Sequence, residues 1–203
     1  MATPAQIRPS LWRWSAPHPD WHAISEDGTA TVWPREVGCV LYTTSSSAVF
    51  IDPLAPDDDG AFWRWADERC EGLEVSVLET IAYHRRSREQ VIARYDARQS
   101  APDGVAPHPL RGFEETVYWI AEHRALVPGD VLITDPDGEL RMCPESWLDD
   151  LGSHSTPPTH ADLREALRPF SALEVELVLV SHGEPVLQGA QAALQRALEL
   201  AAT

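Results

Sequence analysis

The 203-residue chain is short of positive charge, of cysteine and of long apolar runs, and each shortage closes off a class of function. Sixteen Lys and Arg stand against 32 Asp and Glu, for a formal charge of −16. Such a surface repels nucleic acid and anionic membranes, so neither is expected as a partner. Cys39, Cys70 and Cys143 are far apart and form no Cys-x-x-Cys pair, which argues against a zinc ribbon or a redox couple and for reduced structural thiols. No stretch is long and apolar enough to span a bilayer, and residues 1–10 hold no apolar signal core, so a cytoplasmic protein is expected. Gly-x-Ser-x-Gly, the phosphate-binding Gly-Lys-Ser/Thr loop and His-Glu-x-x-His are all missing, which removes three common catalytic grammars. No linker divides the chain, so residues 1–203 are expected to form a single domain. No internal repeat is evident, although a fold of two similar halves can hide a faint one.

What is present reads as alternating strands and helices. Residues 1–30 carry Trp12, Trp14 and Trp21 among prolines, a composition that predicts an aromatic-anchored loop packed on the body. Residues 37–43 and 48–51 are β-branched and apolar runs around three serines, and predict a hairpin that ends at Asp52-Pro53. Residues 60–70 have helical apolar spacing. A strand over 75–82, a turn at His84 and a helix over 88–95 complete a β-α unit. Short strands are predicted at 105, 116–120, 125–127 and 131–134, with turns at 122–124 and 128–130. Thr159 and Asp162 form a capping box for a helix to about Leu167. Residues 175–180 predict a strand buried on both faces, ending in Ser181-His182-Gly183 before a last helix over 188–200.

Three pieces, in this order and spacing, resemble the metallo-β-lactamase superfamily: Ile51-Asp52-Pro53, Leu126-Val127-Pro128-Gly129-Asp130 and Leu179-Val180-Ser181-His182-Gly183. The resemblance spans roughly residues 30–200. It implies an α/β fold, an αββα sandwich of two mixed β-sheets with helices on the outer faces (metallo-β-lactamase-like), and a hydrolase-like site where the strand ends gather. In that family imidazoles and carboxylates hold one or two metal ions, which lower the pKa of bound water and polarise the group under attack.

The motif itself is degenerate. Where the family reads HxHxDH this chain has Ala82-Tyr83-His84-Arg85-Arg86-Ser87, so one histidine survives. The further family histidine, expected before the strand that leads to the Gly-Asp motif, is missing from residues 111–115; His108 would need a displaced loop. The ligand set that the resemblance leaves is His84, Asp130 and His182, with the histidines assigned to different metals. Asp52 resembles a carboxylate that orients a ligand from behind. The expected cofactor is therefore none, or a single weakly bound divalent metal (zinc, iron or manganese), and no tight pair of metals.

Each residue also has a plainer reading. His84 alone can be a hydrogen-bonded structural histidine. Asp130 can be an Asx-turn residue after Pro-Gly, and Asp52 a strand-end acceptor. His18, His22, His123, His154 and His160 read as surface residues. Trp12, Trp14, Trp63 and Trp65 read as core anchors, or as a groove lining. Arg86 stands where the family has its aspartate ligand; it either makes a small anion-binding pocket or pairs with Asp52 or Asp130. Two functions follow: a binding protein for a small-molecule ligand, anionic ones included, that has lost the chemistry, or an active hydrolase that uses one metal at His84, Asp130 and His182.

Overall fold

The computed structural model describes residues 4–24, 28, 30, 31, 33–56, 59–152 and 157–199. The chain divides into two compact units, residues 1–78 with 85–100 and residues 79–84 with 101–203. Each is built around one mixed sheet.

The first unit holds β1 (Ala5–Arg8), β2 (Leu11–Pro17), β3 (Glu36–Thr43), β4 (Ser47–Ile51), α1 (Asp59–Cys70), β5 (Glu74–Leu78) and α2 (Arg88–Tyr95). Its strands run in the order β1-β2-β3-β4-β5, antiparallel except for the parallel pair β4 and β5. The opening segment is thus not the loop that its prolines suggest. β2 pairs with β3 through seven registers, from Leu11 opposite Tyr42 to Pro17 opposite Glu36. An apolar partner strand overrides local composition, and Pro17 is tolerated because it stands at the strand's last position.

The core of this unit is aromatic. Trp14, Leu41, Phe50, Phe62, Val77 and Val91 are buried together, and each large side chain removed from water contributes about 1.5–3 kcal/mol. The Trp14 indole N–H donates to the Leu54 carbonyl at 2.8 Å, so its one polar atom is satisfied. Trp12 and Trp65 meet edge to face at 6.2 Å, and the Arg69 guanidinium lies 4.7 Å over the Trp65 ring. These tryptophans are anchors of the unit, as the plainer reading has it.

The second unit holds a 3-10 turn (Ala82–His84), β6 (Val105–Pro109), β7 (Thr116–Ile120), β8 (Ala125–Val127), β9 (Leu132–Thr134), β10 (Leu140–Met142), α3 (Leu148–Leu151), α4 (His160–Leu167), β11 (Leu177–Val178) and α5 (Ala190–Glu199). Its four-stranded sheet has the order β11-β8-β7-β6, with β11 parallel to β8, and β9 pairs with β10 in a separate ribbon. Pro107 and Pro109 fit because β6 is an edge strand. The expected strand over 175–180 keeps only two ladder residues, but Val178, Leu179 and Val180 are buried, and the Leu179 N–H reaches the Leu126 carbonyl at 2.8 Å.

Thr159 and Asp162 form the predicted reciprocal capping box at the start of α4. α5 buries Ala190, Ala193, Leu194, Ala197 and Leu198, a stripe at three- and four-residue spacing. These residues share one core with Val117, Leu126, Leu132, Leu163 and Leu167. Strand ends emerging from this core carry the candidate site.

Candidate metal centre

Three loops of the second unit deliver the site. His84 closes the 3-10 turn that follows β5, its N–H bonded to the Ile81 carbonyl at 2.9 Å. Asp130 lies in the Pro128-Gly129-Asp130 turn between β8 and β9, and His182 follows the buried run after β11. Their side chains are only 4 %, 13 % and 6 % exposed. Both imidazole Nε2 atoms stand 3.0 Å from one carboxylate oxygen, Asp130 Oδ1. The three candidate ligand atoms lie within 4.8 Å of one another. The two histidines therefore face one common point, where the resemblance implied service to separate metals.

Asp130 Oδ1 is sealed from solvent. Ligands of a tetrahedral zinc with bonds of 2.0–2.1 Å are about 3.3 Å apart. The observed 3.0 Å separations are within a few tenths of an ångström of that edge. Two imidazoles and one carboxylate fit a single divalent ion in donor chemistry and in the two His–Asp spacings. Burial by itself would raise the Asp130 carboxyl, but the charge and contacts of His84 and His182 outweigh it and hold the group well below the usual carboxylate range.

Each candidate histidine is held from behind. Thr80 Oγ1 lies 3.0 Å from His84 Nδ1, so Nε2 is the nitrogen turned to Asp130. The Trp147 ring meets His182 edge to face at 5.3 Å. The His182 carbonyl accepts from the Thr134 N–H at 3.1 Å, and Thr134 Oγ1 donates to the Glu184 carbonyl at 2.8 Å. Gly183 has φ +94°, and a Cβ there would overlap both oxygens of Thr134. Only glycine lets the His182 loop lie this close to β9.

Glu115 is the residue that sequence reasoning missed. It precedes β7, in the segment where the resemblance led us to look for a histidine, and it is buried. Its Oε1 accepts from Gly129 N at 2.8 Å, and its Oε2 from Asp130 N at 2.8 Å and Val131 N at 3.0 Å. Burial, then the neighbouring Asp130 charge, push its carboxyl up to about 8 against the pull of these N–H groups. The available signal was an acid placed directly before an apolar strand, in the segment searched for the missing histidine.

The remaining candidates are distributed otherwise. Asp52 belongs to the first unit, buried at the end of β4 with φ +49°, its N–H bonded to the Leu78 carbonyl at 3.0 Å. Arg86, also of the first unit, has φ +38° and donates from Nη1 to the carbonyls of Gly38 at 2.9 Å and Asp52 at 3.1 Å. The guanidinium thus ties the start of α2 to β3 and to the backbone after β4; the partner that Asp52 offers in these bonds is its main chain. Left-handed φ at a non-glycine residue costs about 1–2 kcal/mol, and Asp52 and Arg86 both carry it.

His123 is buried inside a 3-10 turn (Ala121–His123), which corrects the surface reading. His160 Nε2 lies 2.8 Å from the Cys143 carbonyl, His18 Nδ1 accepts from Asp20 N at 3.2 Å, and His22 is exposed. His154 lies outside the described residues. His108 pairs with Val117 in β6, its ring 5.4 Å from Phe170. The cysteines are free and buried, Cys39 in β3 and Cys143 just past β10.

No family model matches the chain, and no curated protein matches it by sequence. Solved structures do match. A metallo-β-lactamase of Erythrobacter litoralis with β-mercaptoethanol in its active site is 12 % identical, with 98 % of this chain and 96 % of that one covered and a TM-score of 0.61. The mono-zinc form of a metallo-β-lactamase from the same organism is 13 % identical over 98 % and 96 %, with a TM-score of 0.60. The metallo-β-lactamase of Pontibacter korlensis is 10 % identical over 98 % and 99 %, with a TM-score of 0.56.

Proposed function

From the premise that this chain has the metallo-β-lactamase fold, we propose that it is a hydrolase-like metalloprotein holding one divalent ion, zinc, iron or manganese, on His84, Asp130 and His182. The observation that carries this reading is the convergence of both Nε2 atoms, each at 3.0 Å, on one solvent-sealed Asp130 oxygen. Three protein ligands with a fourth position left for water is the usual composition of a catalytic zinc site. An ion bound there supplies a Lewis acid and lowers the pKa of its water.

The chain's own residues would divide the remaining work. Thr80 keeps the His84 Nδ1 face occupied, so that Nε2 is the free ligand atom. Asp130 contributes the negative charge that two neutral imidazoles lack. Trp147 packs on the His182 ring and limits its rotation. A hydrolase with one ion has no second metal to share substrate charge, and in this chain Ala82, Arg86 and Ser87 stand where further ligands would be expected.

Those same substitutions favour a second reading, a small-molecule-binding protein that keeps the ion without turnover. Titration of metal-stripped protein with zinc, alongside His182→Ala, tests the shared premise: one equivalent bound by the wild type and weaker binding by the variant are expected. Absence of zinc binding overturns both readings. Turnover of a chromogenic thioester, lactam, lactone or phosphodiester by the zinc-loaded wild type and not by His182→Ala supports the hydrolase. Inert loaded protein supports the binding reading.

A further inference from the structure

We propose that Glu115 is the positioning residue of this centre, gathering the N–H groups of the Asp130 turn and thereby holding the Asp130 carboxylate between His84 and His182. The inference rests on the metal reading above. Three donors converge on two carboxylate oxygens at 2.8, 2.8 and 3.0 Å, and the side chain is buried. Three backbone N–H groups gathered on one buried carboxyl fix the backbone from which the Asp130 side chain springs.

The neighbouring residues turn this local contact into a frame. Glu115 is followed by Thr116, whose N–H donates to the Thr80 carbonyl at 2.7 Å, and Thr80 in turn holds His84 through Oγ1. The Glu115 carbonyl accepts from Leu110 N at 2.9 Å, which fixes the residue at the head of β7. Gly129 lies between the two holders: a Cβ there would overlap Thr80 Oγ1 and stand 3.1 Å from Glu115 Cδ. One short path of bonds therefore runs from the His84 ring, through Thr80 and Thr116, to Glu115 and the backbone of Asp130. A glutamine at position 115 keeps the volume but offers one acceptor oxygen, and it aims an NH2 group at backbone N–H groups. The turn then loosens and the Asp130 oxygen leaves its place.

The test is titration of the metal-stripped full-length wild type and Glu115→Gln with zinc, repeated with cobalt(II) to read the d–d absorption band. Glu115→Gln is expected to bind zinc about 10–100-fold more weakly, the usual effect of losing a residue that orients a ligand. Its cobalt band is expected to shift in position and intensity. Should wild type bind zinc and Glu115→Gln match it in affinity and in cobalt spectrum, the positioning role is refuted while the metal centre stands, even if the melting temperature falls. If wild type itself takes no zinc, the metal reading fails and this inference with it. Should Glu115→Gln not fold, zinc is added to isotopically labelled wild type. Movement of the Glu115 carboxyl carbon and of the Asp130 amide resonance supports the role, and unmoved resonances overturn it.

Discussion

Replacing Gly129 by alanine adds one methyl group between the residues that hold His84 and Asp130. That methyl would overlap Thr80 Oγ1, and it would stand 3.0 Å from Thr80 Cβ and 3.1 Å from Glu115 Cδ. Thr80 must rotate, and its bond to His84 Nδ1 is lost, a net loss of about 0.5–1.5 kcal/mol. Overpacking in a rigid surround adds about 1–3 kcal/mol. The metal-free variant should therefore be less stable by about 2–4 kcal/mol in urea unfolding. Zinc affinity should fall at least tenfold, because both flanking ligands lose their supports. Gly138→Ala is the control: φ is +83° with open space around the added carbon. It should lose only the conformational term of about 1–2 kcal/mol and leave zinc binding unchanged. A Gly129→Ala protein within about 0.5 kcal/mol of wild type, the scatter of neutral surface changes, and with unaltered zinc affinity would refute the reasoning.

His84→Ala and His182→Ala should each weaken zinc retention at least tenfold in competition with a chromophoric chelator; retention at wild-type level by either places the ion elsewhere. Thr159→Ala removes the capping box of α4 and should lower stability by about 0.5–2 kcal/mol in urea, with zinc affinity unchanged. Burial raises the thiols of Cys39 to about 11 and of Cys70 and Cys143 to about 12. A raised thiol pKa means less thiolate at any pH below it, so native protein should resist a thiol-disulfide reagent at pH 8, and all three thiols should react once it is unfolded. Rapid labelling of native protein would contradict the burial.

The parts of the fold legible in the sequence are those where local chemistry and tertiary context agree. The hairpin ending at Asp52, helix α2, the β7 strand and the Thr159 cap carry their own alternation, spacing or capping residues. β1 and β2 were not legible, because β2 owes its form to pairing with β3, further along the chain, and β1 in turn pairs with β2. β10 is three residues long and owes its form to β9. His84, Asp130 and His182 could be picked out through the resemblance of their motifs, but not their convergence on one oxygen, which depends on loop geometry. Glu115 stayed hidden because an acid before a strand ordinarily faces water; burial and three converging N–H groups, neither visible in sequence, give it its role.

The most direct test of the central claim is anomalous diffraction at the zinc edge from crystals of protein loaded with zinc. The account predicts one peak per chain, about 2.0–2.2 Å from His84 Nε2, His182 Nε2 and an Asp130 carboxylate oxygen. No peak at these residues, or two peaks about 3.5–4 Å apart as in paired catalytic metals, would contradict it.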